Sequence, residues 1–498
     1  MIKRNIYKWH RSLSILIALP VIMWTISGIM HPLMTTIKPK IKNQFLYAKP
    51  IDSASLAIGI DKVLLQNQIK AISNFRIVQM NEASFYQVKL KHDAVLHYFN
   101  AKTGQELKSG DQYYADQLAA KLLGDDQSKI TSTQFVQSFD KEYVEINRLL
   151  PVYKVSFDRN DGIRLYVDTS SDRLGLAMDN KRAIFNSFFR NFHSWEFLHF
   201  FGSFRLFVLG ALASIAFLTV IMGIYISRIT KAKTAANSQV KYRRWHRRVA
   251  VSISITTLMF TSSGAYHALK KIEPDTRADY FMDDTFNAED LAFSKSAFFA
   301  KGGVVNVSLV KMEDQNFLRV SDNGKQREDC CEKMNMASEM MGMKGKGFKS
   351  SVHYYSLPEL NELKNGDAIY ANYMAARFSG NDASKFVSSS PVTNFEGEYG
   401  FVNKRLPVMK VQFNTNHNER FYVETSTGKL STRIDDEDLH EGLSFAMLHK
   451  FHFTDALGKT TRDVITIIAA FGNLLATLLG CTLLVFFYLK KKKKVIAN

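Results

Sequence analysis

At 498 residues the chain has room for two to four domains, and its 46% hydrophobic content is that of an ordinary soluble protein. A net charge of +18 raises nucleic acid as a partner, but 17 of the positive charges sit in three segments free of Asp and Glu, residues 1–11, 228–248 and 490–494. That concentration excludes a general nucleic-acid-binding surface and leaves the rest of the chain nearly neutral.

Four uncharged stretches, Ser12–Met30, Leu206–Ser227, Val249–Ala268 and Val464–Leu489, are each long enough to cross a bilayer core, which takes about 20 helical residues. The first predicts a retained helix, because its copy lies mid-chain and no small-x-small cleavage site follows it. The three basic segments fall on one side of a four-span topology, so both termini and the loop 229–244 are expected in the cytoplasm. The expected layout is transmembrane helices at 1–33, 191–228, 245–269 and 446–489, large external domains at 34–190 and 270–445, and a basic tail at 490–498.

The first span reads YKWHRSLSILIALPVIMWTISGIMHPL (7–33) and the third YRRWHRRVAVSISITTLMFTSSGAYHAL (242–269). Each opens on Trp-His-Arg, carries Ser-Gly near its end and places a second His just beyond. His10 and His31 are 21 residues apart, as are His246 and His267. At 1.5 Å rise per residue this is roughly 31 Å, close to the hydrocarbon thickness.

In the first external domain, residues 54–70 have the apolar spacing of an amphipathic helix. FRIVQM, FYQVKLK and AVLHYFN then alternate as strands, closed by the turn residues Lys102-Thr103-Gly104. The whole arrangement repeats. Residues 96–124 match 352–380, and NRLLPVYKVSFD (147–158) matches NKRLPVMKVQFN (403–414), both at an offset of 256. EASFYQV (82–88) pairs with DQNFLRV (314–320) at 232, so an insertion enters the second copy within 321–351. The fold class expected is membrane α+β, a pseudo-twofold bundle of four transmembrane helices carrying two external helix-plus-antiparallel-sheet domains.

Parallel duplication puts matched residues at equal depth on opposite sides of the twofold axis. His10 and His246 fall at the inner face, and His31 and His267 at the outer. His193 and His449 match in the segments leading into the second and fourth spans. A planar macrocycle on the axis would take one imidazole from each half, the arrangement of a bis-histidine haem b. The competing reading for each His is an interfacial anchor, as for Trp9, Trp24, Trp195 and Trp245. His97 and His353 match on strands and are expected to be structural; His199 and His452 have no counterpart.

Three cysteines give no disulfide framework, and without CxxCH there is no covalent haem attachment. The absence of GxGxxG after a strand and of GxxxxGK[ST] argues against an internal nicotinamide or flavin domain and an ATP-driven pump. The insertion holds Cys330, Cys331, Met334, Met336, Met340, Met341 and Met343, soft ligands that favour Cu(I). A copper-binding arm is one reading of it, and a surface insert rich in Met is the other.

WHRSLSILIALPVIMWTISG (9–28), its copy at 245–264, the His-led entries ending in Gly202 and Gly458, and the segment ending in YFNAKTGQEL resemble the PepSY-associated transmembrane-helix proteins, also called iron-regulated membrane proteins. The resemblance covers nearly the whole chain. It implies a bacterial inner-membrane reductase with periplasmic PepSY-like domains, using haem to deliver electrons to ferric siderophores. The family's Trp-His-Arg histidine maps to His10 and His246, whereas His31 and His267 rest on spacing alone. The expected path enters at an inner haem between His10 and His246 and continues to an outer haem on two of His31, His267, His193 and His449. Electrons would come from a cytoplasmic reductase or a membrane quinol. The alternatives are a cupric reductase, and a haem-free PepSY anchor for a peptide or protease. A transporter is disfavoured because the spans lack interior charges.

Overall fold

The computed structural model describes residues 2–34, 37–230, 238–273, 280–294, 299, 302–323, 350–395 and 397–496. The copper reading therefore concerns residues outside those described, from Cys330 to Met343. The α-helices among the described residues are α1 (Ile2–Met34), α2 (Ile60–Gln66), α3 (Gly110–Leu123), α4 (Asn180–His193), α5 (Ser203–Ile229), α6 (Ser238–Ser252), α7 (Ser254–Lys270), α8 (Gly366–Ser379), α9 (Asp436–Ser444) and α10 (Lys459–Ile496). The chain forms two compact units, one from Met1–Lys38, Lys181–Pro274 and Glu437–Asn498, the other from Pro39–Asn180 and Asp275–Asp436.

In the first unit, Asn5–Met34, Ser203–Ile229 and Lys459–Leu489 are long and apolar enough to cross a membrane. Only 22–28% of each apolar stretch is covered by the rest of the protein. Leu19, Phe204, Ile255 and Ile468 are among the side chains left more than half exposed. Leaving such surface in water costs about 25 cal/mol per Å², so these faces belong in lipid. The chain is a membrane protein. α1 lies against α5 and α10, and the α6–α7 pair lies against the same two helices.

Where a third straight spanning helix is expected, the chain forms a bent pair of helices. α6 and α7 meet at a bend of 61° around Ile253. Ser254 Oγ donates to the Val251 carbonyl at 2.9 Å, and Thr256 and Thr257 both donate to that of Ile253, at 2.9 and 2.8 Å. Hydroxyls crowding the carbonyls of one turn bend a helix there. Gly472 of α10 receives the bend: a Cβ at that position would lie 2.6 Å from Ile253 Cγ2. By helix rise, the 61° bend shortens the axial span from His246 to His267 to roughly 28 Å from the roughly 31 Å of a straight helix.

The second unit contains the repeat twice. In the first copy, after β1 (Ala71–Ile72), the strands β2 (Asn74–Met80), β3 (Ala83–Lys89) and β4 (His97–Asn100) form an antiparallel sheet. After α3 come β5 (Ile130–Val136), β6 (Val152–Phe157), β7 (Arg164–Asp168) and β8 (Arg173–Met178) in a four-stranded sheet. The second copy opens with β9 (Phe286–Asn287). Its three-stranded sheet is β10 (Val304–Met312), β11 (Gln315–Asn323) and β12 (Ser350–Ser356). Its four-stranded sheet, after α8, is β13 (Phe386–Val392), β14 (Val408–Phe413), β15 (Arg420–Glu424) and β16 (Lys429–Ile434). Asn323 pairs with Ser350, so the insertion sits at the end of the β11–β12 hairpin.

The copies share a core. Val63, Leu64 and Phe75 of the first pack with Val307, Leu318 and Val320 of the second. Asn74 bridges them, its Nδ2 donating to Leu309 O at 3.0 Å and its Oδ1 accepting from Leu309 N at 2.9 Å. β1 also pairs with β9, Ala71 opposite Asn287. The helix expected over 54–70 is shorter, Ile60–Gln66, because Gly59 is extended and Gln68 takes a left-handed conformation at φ 57°. His97 bonds Asp93 and Glu106, and His353 bonds Glu362, which makes both structural.

Each repeat turns into its helix through a left-handed residue, Ser109 or Asn365, followed by glycine. A Cβ on Gly366 would lie 2.6 Å from Cγ of the buried Tyr354. Gly366→Ala should therefore destabilise the second unit by about 1–3 kcal/mol. Gly400→Ala, with nothing within 4 Å, should leave the melting temperature unchanged. Thermal unfolding of the two variants side by side checks the contrast.

Candidate functional site

The Ser-Gly pairs that recur in the first and third spans have a shared purpose. Ser27 in α1 and Ser263 in α7 are buried. Ser27 Oγ lies 3.0 Å from His193 Nδ1 and Ser263 Oγ 3.1 Å from His449 Nδ1. Each hydroxyl donates its own proton to a carbonyl one turn back, Met23 O at 3.0 Å and Met259 O at 2.8 Å. The serine oxygen is then left as an acceptor, so Nδ1 of each imidazole carries the hydrogen and Nε2 keeps its lone pair. Gly264 makes room: a Cβ there would already touch His449 Cε1 at 3.6 Å.

The two histidines arrive by matched routes. His193 ends α4, and His449 ends a π-helical turn, Phe445–His449, that continues α9. Phe189 stacks on His193 and Phe445 on His449, with centroids 4.8 Å apart in both cases. Beyond each histidine the chain turns through a left-handed Trp195 or Phe451 into a 3-10 segment, then through Gly202 or Gly458 into α5 or α10. Trp24 stacks with Trp195 and donates from Nε1 to His193 O at 3.1 Å; Phe260 and Phe451 take the same places in the other half. Trp24 and Trp195 thus pack the site.

His193 and His449 face one another, ring centroids 6.0 Å apart and planes at 83°. Two imidazoles bound through Nε2 to one metal at about 2.0–2.1 Å each put their centroids about 6 Å apart. His31 and His267 lie one ring further out, packed against Phe189 at 5.4 Å and Phe445 at 4.3 Å. His267 Nδ1 bonds the Glu441 carboxylate, and the position matching Glu441 in the first half is Phe185. The halves therefore differ at this outer pair.

At the other end of the spans, His10 Nδ1 bonds Ser14 Oγ at 2.9 Å, and its Nε2 points at Gly223 of α5, where a Cβ would lie 3.2 Å away. His246 Nδ1 donates to Ala476 O of α10 at 2.9 Å, with Gly480 beside the ring. No Nε2 of His10, His193, His246, His267 or His449 has a hydrogen-bond partner among the described residues. His199 is exposed beside Glu196, and His452 bonds Asp455 at 2.7 Å.

This donor set fits haem. Among the described residues, no group of three or more His, Cys, Asp or Glu side chains is placed to hold a metal ion by itself. Paired imidazoles with free Nε2 atoms suit a metal that brings its own four equatorial nitrogens. Ser27, Ser263, Phe189, Phe445 and Glu441 were not singled out from the sequence as site residues. Only the repeated Ser-Gly, standing out from weakly matched spans, pointed towards any of them.

A search of curated proteins finds no match to this chain. Residues 8–297, from the first Trp-His-Arg through the α6–α7 pair and into the second copy of the repeat, match the family described as the PepSY-associated TM region, and the chain belongs to that family.

Proposed function

We propose that this protein is a haem b protein of the bacterial inner membrane that carries electrons across the bilayer to reduce a periplasmic ferric siderophore. One observation carries the reading: matched histidines from the two halves, His193 and His449, face each other with their Nδ1 atoms held by Ser27 and Ser263. In this reading the four spans make a pseudo-twofold bundle. The basic segments keep the termini and the α5–α6 loop in the cytoplasm, and the PepSY-like domains lie in the periplasm.

His193 and His449 would hold an outer haem and His10 and His246 an inner one, supplying one-electron redox chemistry tuned by axial ligands and burial. Ser27 and Ser263 orient their imidazoles, and Phe189 and Phe445 shield them from water. Fe(III) given an electron is held less tightly by hard oxygen ligands, so a siderophore gives it up. A cytoplasmic reductase or a quinol is the donor this reading requires.

Purification of the full chain from membranes with haem available tests it. A reducible Soret band and two haems per chain by pyridine haemochrome are expected, and a colourless protein would sink the proposal in favour of a haem-free anchor. His10→Ala should lose one haem equivalent, read by the same count; an unchanged count would refute the inner assignment.

A further inference from the structure

One cluster in the second unit gathers more cations than carboxylates. Where its two four-stranded sheets meet, Arg148 donates to Asn403 Oδ1 while Lys404 donates to Asn147 Oδ1 at 2.9 Å and to Gly175 O. These contacts are reciprocal, because Arg148 matches Lys404 and Asn147 matches Asn403 in the repeat. Arg173 reaches across to Leu406 O at 3.0 Å and to Glu424 at 2.5 Å. Arg405 binds the other oxygen of Glu424 at 2.6 Å. Lys429, the match of Arg173, lies in the field of Asp168 and Arg405.

Five cations, Arg148, Arg173, Lys404, Arg405 and Lys429, thus gather about two carboxylates, Asp168 and Glu424. Glu424 is shared between two arginines, and Asp168 already accepts from Ser170 and Ser171. Arg148 and Lys404 contact only neutral oxygens and make no ion pair among the described residues. Arg148 Nε and Arg173 Nη1 are buried with no acceptor among the described residues. Unsatisfied buried N–H groups are costly, and Glu424 Oε1 in the same cluster is ion-paired to Arg173 without a well-formed hydrogen bond. Burial and the nearby Arg148 push the Lys404 amine down to about 7, and burial and Arg405 push Lys429 down to about 8. Desolvation is the larger cause in both, and Asp168 and Glu424 act the other way on Lys429. The Arg173 side chain remains 19% exposed, whereas Arg405 is 7% and Glu424 0% exposed.

We propose that this cluster is an anion site, binding a small oxyanion of the carboxylate or phosphate class between the two sheets through Arg148, Arg173 and Lys404. Guanidinium forks match both oxyanions, and an added negative charge would satisfy the orphaned donors at once. The bland alternative is a purely structural ion-pair network. That alternative accounts for Arg173, Arg405 and Glu424, but not for Arg148 and Lys404.

Calorimetric titration of the full detergent-solubilised chain with inorganic phosphate, and separately with citrate, is the test. Saturable binding of at least one, with a raised melting temperature, is expected. Arg148→Gln should weaken it about tenfold or more, and Lys102→Gln, on the exposed surface, should not. Lys404→Met also removes the hydrogen bonds to Asn147 and Gly175, so its readout is the anion-dependent shift measured against its own ligand-free melting temperature: a cooperative melt shows that it folds, and the shift should be lost. Binding of citrate alone would mark a carboxylate site, and binding of phosphate would mark a general oxyanion site. No saturable binding of either anion, or an undiminished shift in Lys404→Met, would overturn the assignment.

Discussion

Replacing His449 by alanine should strip the outer haem from the purified protein and abolish reduction of an external ferric chelate in reconstituted vesicles. His449 fills the place opposite His193 and is stacked on Phe445, with His267 on the far side of that phenylalanine. Ser263→Ala should be milder. It removes the acceptor that fixes Nδ1–H, a change that costs on the order of 10–100-fold in metal affinity where an imidazole's second nitrogen loses its partner. Ser27→Ala should match it in the other half. His97→Ala is the control, since that ring is engaged by Asp93 and Glu106 on a strand, and its haem content should not change. Absorption spectra and haem counts of the four variants settle the ranking. Full haem content with an unaltered spectrum in His449→Ala would remove the basis of the outer site.

Glu424→Ala should be the most destabilising single change in the second unit. Burial opposes ionisation of this carboxyl, but the Arg173 and Arg405 guanidinium groups outweigh it and hold the group well below the usual carboxylate range. Deleting it strands two arginines beside Arg148 and Lys429. Breaking a buried ion pair from one side costs about 3–5 kcal/mol, or a fall in melting temperature on the order of 10 °C. Arg433→Ala breaks a half-exposed pair with Glu419 and should cost under about 1 kcal/mol. The sign with pH follows from the lowered folded-state value. The stabilisation from Glu424 is present above the ordinary carboxylate range and is lost as pH falls towards its depressed value. In the alanine variant that part of the acid sensitivity should vanish from melting curves recorded between neutral and acid pH.

Much of this was legible in the chain because the repeat exposes it. Apolar runs mark the spans, and the jump in offset from 232 to 256 falls within the β11–β12 hairpin, whose last pair is Asn323 and Ser350. The strands FRIVQM and FYQVKLK alternate plainly. The bend at Ile253 was hidden, because hydropathy measures length and not direction, and serine and threonine are unremarkable within a membrane helix. Choosing His193 and His449 from four outer histidines needed the side-chain partners, since spacing alone favours none. The cationic cluster was hidden differently: Arg148 and Lys404, or Arg173 and Lys429, are chemically alike but not identical, and they lie more than 230 residues apart. No local pattern announces them.

The core that α2 shares with both three-stranded sheets also bears on how the chain can be divided. A fragment ending before the α5–α6 loop would present Val63, Leu64 and Phe75 to water, and the complementary fragment would present Val307, Leu318 and Val320. Neither half would be a self-sufficient folding module. Produced together from separate genes, however, they would carry matching faces and the β1–β9 seam with which to reassemble, so the protein is better regarded as a dimer whose subunits have been fused than as beads on a string.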